Sequence, residues 1–200
     1  MNSAIEQDLL SADLSAYGVE FLLRKNAGRL TGWIGYTYSR SFLITSGPDK
    51  EYLVNHGNKY PSYFDKPHDL SVVASYVISR RFTFSSSFIY STGKPTTYPE
   101  SQFFIKGNTL IQYSDRNKYR LPDYHRLDLS LTWETSLKKN KKYYSNWVLS
   151  VYNVYGRKNV YSTYYKRDIP TEKNDYKRFA FYELSIIGVP IPSLTYNLKF

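Results

Sequence analysis

The sequence predicts an all-β fold, an antiparallel transmembrane β-barrel segment of about seven strands. Three observations predict it. Nearly every ordered-looking segment alternates apolar and polar residues with period two, the mark of a strand with two unlike faces. The connections between those segments alternate short and long, as in membrane barrels with short turns on one side and long loops on the other. Aromatic residues make up 18% of the chain, with 22 Tyr against 11 Phe. A ring with a polar tip suits a boundary between apolar and aqueous phases.

The elements follow in order. Tyr17, Val19, Phe21 and Leu23 face one way; Gly18, Glu20 and Arg24 face the other. A tight turn at Asn26-Ala27-Gly28 leads to a second strand with Leu30, Ile34, Tyr36 and Tyr38 on the apolar face. Trp33 falls on the polar face of that strand, against the pattern. A polar stretch from Ile44 to His68 comes next. The third strand carries Leu70, Val72, Ala74, Tyr76 and Ile78 outward. A turn at Ser79-Arg80-Arg81 gives the fourth, with Phe82, Phe84, Phe88 and Tyr90 against Thr83, Ser85, Ser87 and Ser91. Thr92 to Asp123 reads as a long loop with a small hairpin around Lys106-Gly107-Asn108.

The fifth strand has the cleanest alternation. His125, Leu127, Leu129, Leu131 and Trp133 oppose Arg126, Asp128, Ser130, Thr132 and Glu134. Past a turn at Lys138 to Lys142, Trp147, Leu149 and Val151 open a sixth strand expected to run to about Tyr165. A loop around Ile169 to Lys177 precedes a seventh segment, Phe179 to Phe200, broken at Gly188-Val-Pro-Ile-Pro192. Leu194, Tyr196, Leu198 and Phe200 share its apolar face. With short turns periplasmic, seven strands leave Phe200 in the periplasm, where a barrel's C-terminus belongs. An odd count leaves two open edges, which hydrocarbon does not tolerate. The chain is therefore expected to be the C-terminal part of a larger barrel.

Composition narrows the function. No run approaches the roughly 20 apolar residues of a membrane helix, but a barrel strand needs only about 9–11. The chain has no cysteine, which excludes thiol catalysis, disulfides and Cys-based zinc sites. The formal net charge of +10 fits an anionic surface as well as nucleic acid. The N-terminus, with two acids and no early Lys or Arg, does not read as a secretory signal. Neither a Gly-x-Ser-x-Gly elbow nor an HExxH motif occurs, and Thr92-Gly-Lys-Pro lacks the upstream Gly and following Ser/Thr of a phosphate loop. No enzyme activity, cofactor or metal is expected; His56, His68 and His125 lack metal-ligand spacing.

Several segments together resemble the C-terminal barrel of TonB-dependent outer-membrane receptors of the Bacteroidetes type. They are Tyr17-Gly-Val-Glu-Phe21 with Leu30 to Arg40, Ser91-Thr-Gly-Lys-Pro-Thr96, and Arg120-Leu-Pro-Asp-Tyr-His-Arg-Leu-Asp128. Val151-Tyr-Asn-Val-Tyr155, Arg157-Lys-Asn159 and Pro192 to Phe200 complete the set. The resemblance covers most of residues 1–200. It implies a plugged barrel of about 22 strands in the Gram-negative outer membrane that takes up a nutrient ligand. It places the plug, the TonB box and the signal peptide upstream. Its implied partners are outer-membrane lipid, the upstream strands and plug, the barrel-assembly machinery and TonB; nucleic acid is not among them.

Candidate residues fall in three groups. Leu194, Tyr196, Leu198 and Phe200 are candidates for the assembly signal. Glu20, Arg24, Arg126, Asp128 and Glu134 are lumen-facing candidates, against the plainer reading of solvated wall charges. Tyr60, Tyr63, Phe64, Tyr98 and Tyr113 are candidates for stacking on an extracellular ligand, against loop packing. A small stand-alone pore or adhesin and a soluble glycan-binding β-sandwich are the alternative readings.

Overall fold

The computed structural model describes residues 10–105, 108–135, 143–167 and 179–199. The chain is all-β apart from two short 3-10 turns, Lys50–Tyr52 and Val54–Gly57. Seven long strands form one antiparallel sheet: β1 (Ser11–Lys25), β2 (Leu30–Ser46), β4 (His68–Val77), β5 (Phe82–Ser91), β10 (Tyr124–Glu134), β11 (Tyr144–Tyr152) and β14 (Ile191–Lys199). They pair in that order, and the two-residue β3 (Tyr60–Pro61) lies beside the far end of β2. The remaining strands form three two-stranded ladders: β6 (Pro95–Thr96) with β9 (Tyr119–Arg120), β7 (Pro99–Ile105) with β8 (Asn108–Tyr113), and β12 (Val160–Arg167) with β13 (Phe179–Ser185). The sheet does not close, and among the described residues nothing pairs with the outer edges of β1 and β14.

Register sorts the side chains into two unlike faces, because directly paired residues share a face. On one face Phe21, Tyr36, Leu70, Tyr90 and His125 form a rung across five strands. Lower rungs run Leu23–Ile34–Val72–Phe88–Leu127 and Tyr76–Phe84–Leu131–Leu149–Leu194. On the opposite face Thr31, Ser75, Ser85, Ser130, Ser150 and Ser193 form one hydroxyl rung. Two of its steps are hydrogen-bonded, Ser75–Ser85 at 3.0 Å and Ser150–Ser193 at 2.7 Å. The period-two pattern thus becomes one apolar and one hydroxyl-rich surface.

The apolar surface is bare. Phe21, Leu23 and Leu194 are 63%, 71% and 65% exposed. Among the described residues only Leu53 and Tyr60 are buried large hydrophobic side chains, and both lie in or beside the loops. A soluble domain hides its large apolar side chains in a core. Here no second layer covers the sheet among the described residues.

The rungs also climb. The rung through Lys25, Gly32, Ala74, Ser86, Leu129, Val151 and Pro192 starts at the last residue of β1 and ends seven residues before Lys199. Seven residues at ~3.4 Å against six strand spacings of ~4.8 Å tilt the strands about 40° from the normal to the line of short connections. That lies within the tilt of about 35–45° that barrel strands adopt.

Three expectations need correction. β1 begins at Ser11, before Tyr17, because its ladder with β2 continues without a break to Ser11↔Ser46. The sixth strand does not run to Tyr165. It stops at Tyr152, where Asn153 takes φ +53 and Gly156 φ +63, and the left-handed residues turn the chain out of the sheet. The seventh segment is not one strand either: Phe179–Ser185 pairs with β12, and only Ile191–Lys199 returns to the sheet. The β7–β8 hairpin is present, with Ile105 paired to Asn108; its turn residues 106–107, the turn at 138–142 and Phe200 lie outside the described residues.

Trp33 keeps its place on the polar face, paired with Arg24 and Val73. Its ring lies over Gly35, where an added Cβ would come within 3.2 Å of it. The glycine two residues on makes room for an indole on this side.

Candidate binding site at the long-loop edge

All three long connections, 47–67, 92–123 and 153–190, leave the sheet at one edge. Two aspartates tie them together. Asp65 is fully buried. Its Oδ1 accepts from the Ser41 N–H at 2.7 Å and from Arg40 Nε at 3.1 Å, and its Oδ2 accepts from Arg120 Nη2. Arg120 Nη1 also donates to the Asp65 carbonyl at 2.7 Å and to the Gly93 carbonyl at 3.0 Å. Burial alone would raise the Asp65 pKa; the Ser41 N–H and the two guanidinium groups outweigh it and hold it below the usual carboxylate range. Asp123 accepts from Tyr90 Oη at 2.6 Å and from the Gly93 N–H at 2.9 Å, while its carbonyl takes Arg157 Nη2 at 2.9 Å. Burial opposes ionisation there too, and these donors with the nearby arginines again leave its pKa lowered.

Asparagines finish the lacing. Asn153 is almost fully buried and closes its own turn, donating to the Arg157 carbonyl at 3.0 Å and accepting from the Arg157 N–H at 3.2 Å. Asn159 bonds both main-chain groups of His125. Asn55 does the same for Arg116, linking the first long connection to the second. Gly93 lies so close to the Leu121 carbonyl that an added Cβ would sit 1.7 Å from it. Gly93→Ala should therefore cost about 3 kcal/mol, the upper end of overpacking penalties. A urea midpoint that stays unchanged would contradict this close approach.

Below this lacing, on the hydroxyl-rich face, lies a cavity of about 490 Å³. Arg126 forms part of its wall. Its Nε and Nη2 hold Asp128, each 2.9 Å from Oδ2. Its Nη1 donates to Tyr124 Oη at 2.9 Å and to Tyr152 Oη at 2.6 Å, with the guanidinium 4.1 Å from the Tyr152 ring centre. Asp128 further accepts from the Asn153 N–H at 2.8 Å.

No protein-family model, curated protein or solved structure matches this chain. The chemistry of the site is what its own side chains dictate. Its fixed groups are donors in polar surroundings with aliphatic walls, which is the make-up of a small-molecule pocket.

The candidate residues divide accordingly. Glu20, Arg24, Arg126, Asp128 and Glu134 share the hydroxyl-rich face. Of these, Arg126 and Asp128 meet, whereas Glu134 lies near the short connections and accepts from Tyr144 Oη. Leu194, Tyr196 and Leu198 are exposed on the apolar edge strand, as alternation predicts. Tyr60 is only 5% exposed, so it packs between the loop and β2 and offers no ring face to a ligand. Tyr63 and Phe64 are exposed and meet edge to face at 5.5 Å, with Lys94 Nζ 5.1 Å from the Tyr63 ring centre. Tyr98 stacks on Tyr119 and meets Phe181 edge-on at 5.0 Å, and Tyr113 is exposed on β8. His68 and His125 each bond a phenol, Tyr36 and Tyr155.

Tyr124, Tyr152, Asp65, Asp123 and Asn153 went unmarked as functional candidates. Tyr124, Tyr152, Asp123 and Asn153 stand within the segments that carry the family resemblance, their one signal in the sequence, whereas Asp65 stands outside them.

Proposed function

We propose that the chain is the wall and extracellular-loop portion of a TonB-dependent outer-membrane receptor that takes up a nutrient ligand. One observation carries the reading: a sheet of seven strands with a continuous exposed apolar face, and loops laced together at one edge only. The hydrocarbon interior of a bilayer would remove that face from water. The face also has the layering of a barrel exterior. Tyr36, Tyr38, His68, Tyr90 and His125 lie towards the long connections. Tyr76, Phe82, Trp133, Trp147 and Tyr196 lie towards the short ones, with Phe82 stacked on Trp133 and the Trp147 ring tilted against Tyr196 at 4.7 Å. The band between is mostly apolar, with Ile34, Val72, Leu127, Leu129, Leu149 and Leu194 beside Phe84 and Phe88, and Ser86 as a polar exception. The eight residue steps from His125 to Trp133 span ~27 Å along the strand, or ~21 Å after a 40° tilt. Barrel exteriors carry an apolar band of about 25 Å between aromatic girdles.

The bare edges support the larger barrel. Unpaired main-chain groups in hydrocarbon cost several kcal/mol each, and strands added to β1 and β14 would remove that cost. The loop lacing supports the receptor, since a ligand site needs a preformed frame. The test is fractionation of the chain expressed in a Gram-negative host. It should stay with the outer membrane through a carbonate wash. A folded monomer recovered from the aqueous phase without detergent would sink the proposal.

A further inference from the structure

We infer that the cavity under the loops binds a small amphiphilic organic anion, a single carboxylate on an aliphatic body of about a dozen carbons. The polarity of its bound groups dictates this. Arg126 spends its donors on Asp128, Tyr124 and Tyr152. Both phenol oxygens are therefore acceptors towards Arg126, and each must direct its own O–H elsewhere. Neither O–H has a protein acceptor among the described residues, and both tyrosines line the cavity. Two oriented donors thus point to a ligand rich in acceptor oxygens.

Charge sharpens the class. Lys66 and Lys94 line the same cavity, and the Lys66 ammonium has no carboxylate within ion-pair distance among the described residues. Arg126 is neutralised by Asp128. Asp69, the one carboxylate in the lining, is outnumbered by the two lysines. The opposite wall is aliphatic: Leu121, Ile186 and Ile187, with Ile186 at the mouth and 71% exposed. A sugar would leave that wall wet, and a hydrocarbon would leave the donors unpaired. An acid head on an apolar tail satisfies both, and about 490 Å³ accommodates it. The site stands on the cavity's geometry; its service in uptake rests on the receptor reading.

The experiment uses the full chain in phosphatidylcholine vesicles with a diazirine-bearing dodecanoic acid and, separately, its methyl ester. Labelled residues are mapped by mass spectrometry after irradiation. The acid should label Leu121–Pro122 or Ile186–Ile187, and excess dodecanoate should displace it. The ester should label there about fivefold less. Tyr124→Phe with Tyr152→Phe should lower acid labelling about fivefold, and Lys66→Gln about threefold. Labelling of Leu129 and Leu131 on the apolar face should be unchanged by the replacements, and serves as the internal standard. Lys66→Gln, a loop change, keeps the test open if the double variant misfolds. Equal cavity labelling by acid and ester, indifference to the replacements, or no cavity label would each overturn the site. Cavity labelling without any label on Leu129 or Leu131 would instead overturn the membrane reading and leave the site standing.

Discussion

Leu129→Arg is expected to abolish stable membrane insertion, while Thr132→Arg leaves most of it intact. Leu129 lies midway between His125 and Trp133, flanked by Ser86 and Val151 on the apolar face. An arginine at the middle of a lipid-facing band costs about 2–4 kcal/mol, and near the interfaces it costs much less. Thr132 is three residues on, between Thr83 and Val148 on the hydroxyl-rich face. A guanidinium there meets water. The measurement is the heat-modifiable fraction on a cold gel after membrane extraction. Equal losses for the two variants would refute the assignment of faces.

The second large effect belongs to Asp65. Asp65→Ala removes the acceptor that Ser41, Arg40 and Arg120 share. Breaking a buried ion pair from one side costs about 3–5 kcal/mol. Arg40 and Arg120 keep 26% and 29% side-chain exposure, so water relieves part of that, and about 3 kcal/mol is expected. The loss should fall on the loops. Trypsin should cut after Lys59 and Lys118 in the variant, in the two connections that Asp65 ties together, while the strands stay protected. Asp65→Asn, which keeps an acceptor for Ser41 without the charge, should fall between. Unchanged cutting in both variants would remove Asp65 from its place as the hub.

The same cluster sets an acid limit. A carboxyl with a lowered folded-state pKa stabilises the fold above its unfolded value of ~3.9, and that stabilisation is lost as pH falls through the lowered value. Asp65 and Asp123 both act in this direction. The loops should therefore open to protease below pH ~4, while remaining closed near neutrality.

The strands were legible because their information is local. Leu127, Leu129 and Leu131 against Asp128, Ser130 and Thr132 fix both strand and face from adjacent residues. Even the exception at Trp33 was visible, although its reason, the space over Gly35, was not. Asn153 was opaque for another reason. Alternation persists through it, and one left-handed residue that ends a strand leaves no trace in a period-two pattern. The site was least legible. Asp65 meets Arg40 and Arg120, which lie 25 and 55 positions away in the chain. Tyr60 and Tyr63 look alike in sequence, yet one packs against β2 and the other stands in solvent. Nothing local separates a ring used for packing from one left for recognition.

The climb of the rungs has a mechanical consequence. Strands inclined by about 40° resolve an axial pull into two parts, with most of the load directed along each strand. Antiparallel ladders loaded lengthwise slide as a whole and break many hydrogen bonds at once, whereas crosswise loading opens them one by one. In the proposed barrel, the slanted grain running from Lys25 to Pro192 would make this wall stiff against traction along the axis, and weakest at the outer edges of β1 and β14, which have no partner among the described residues.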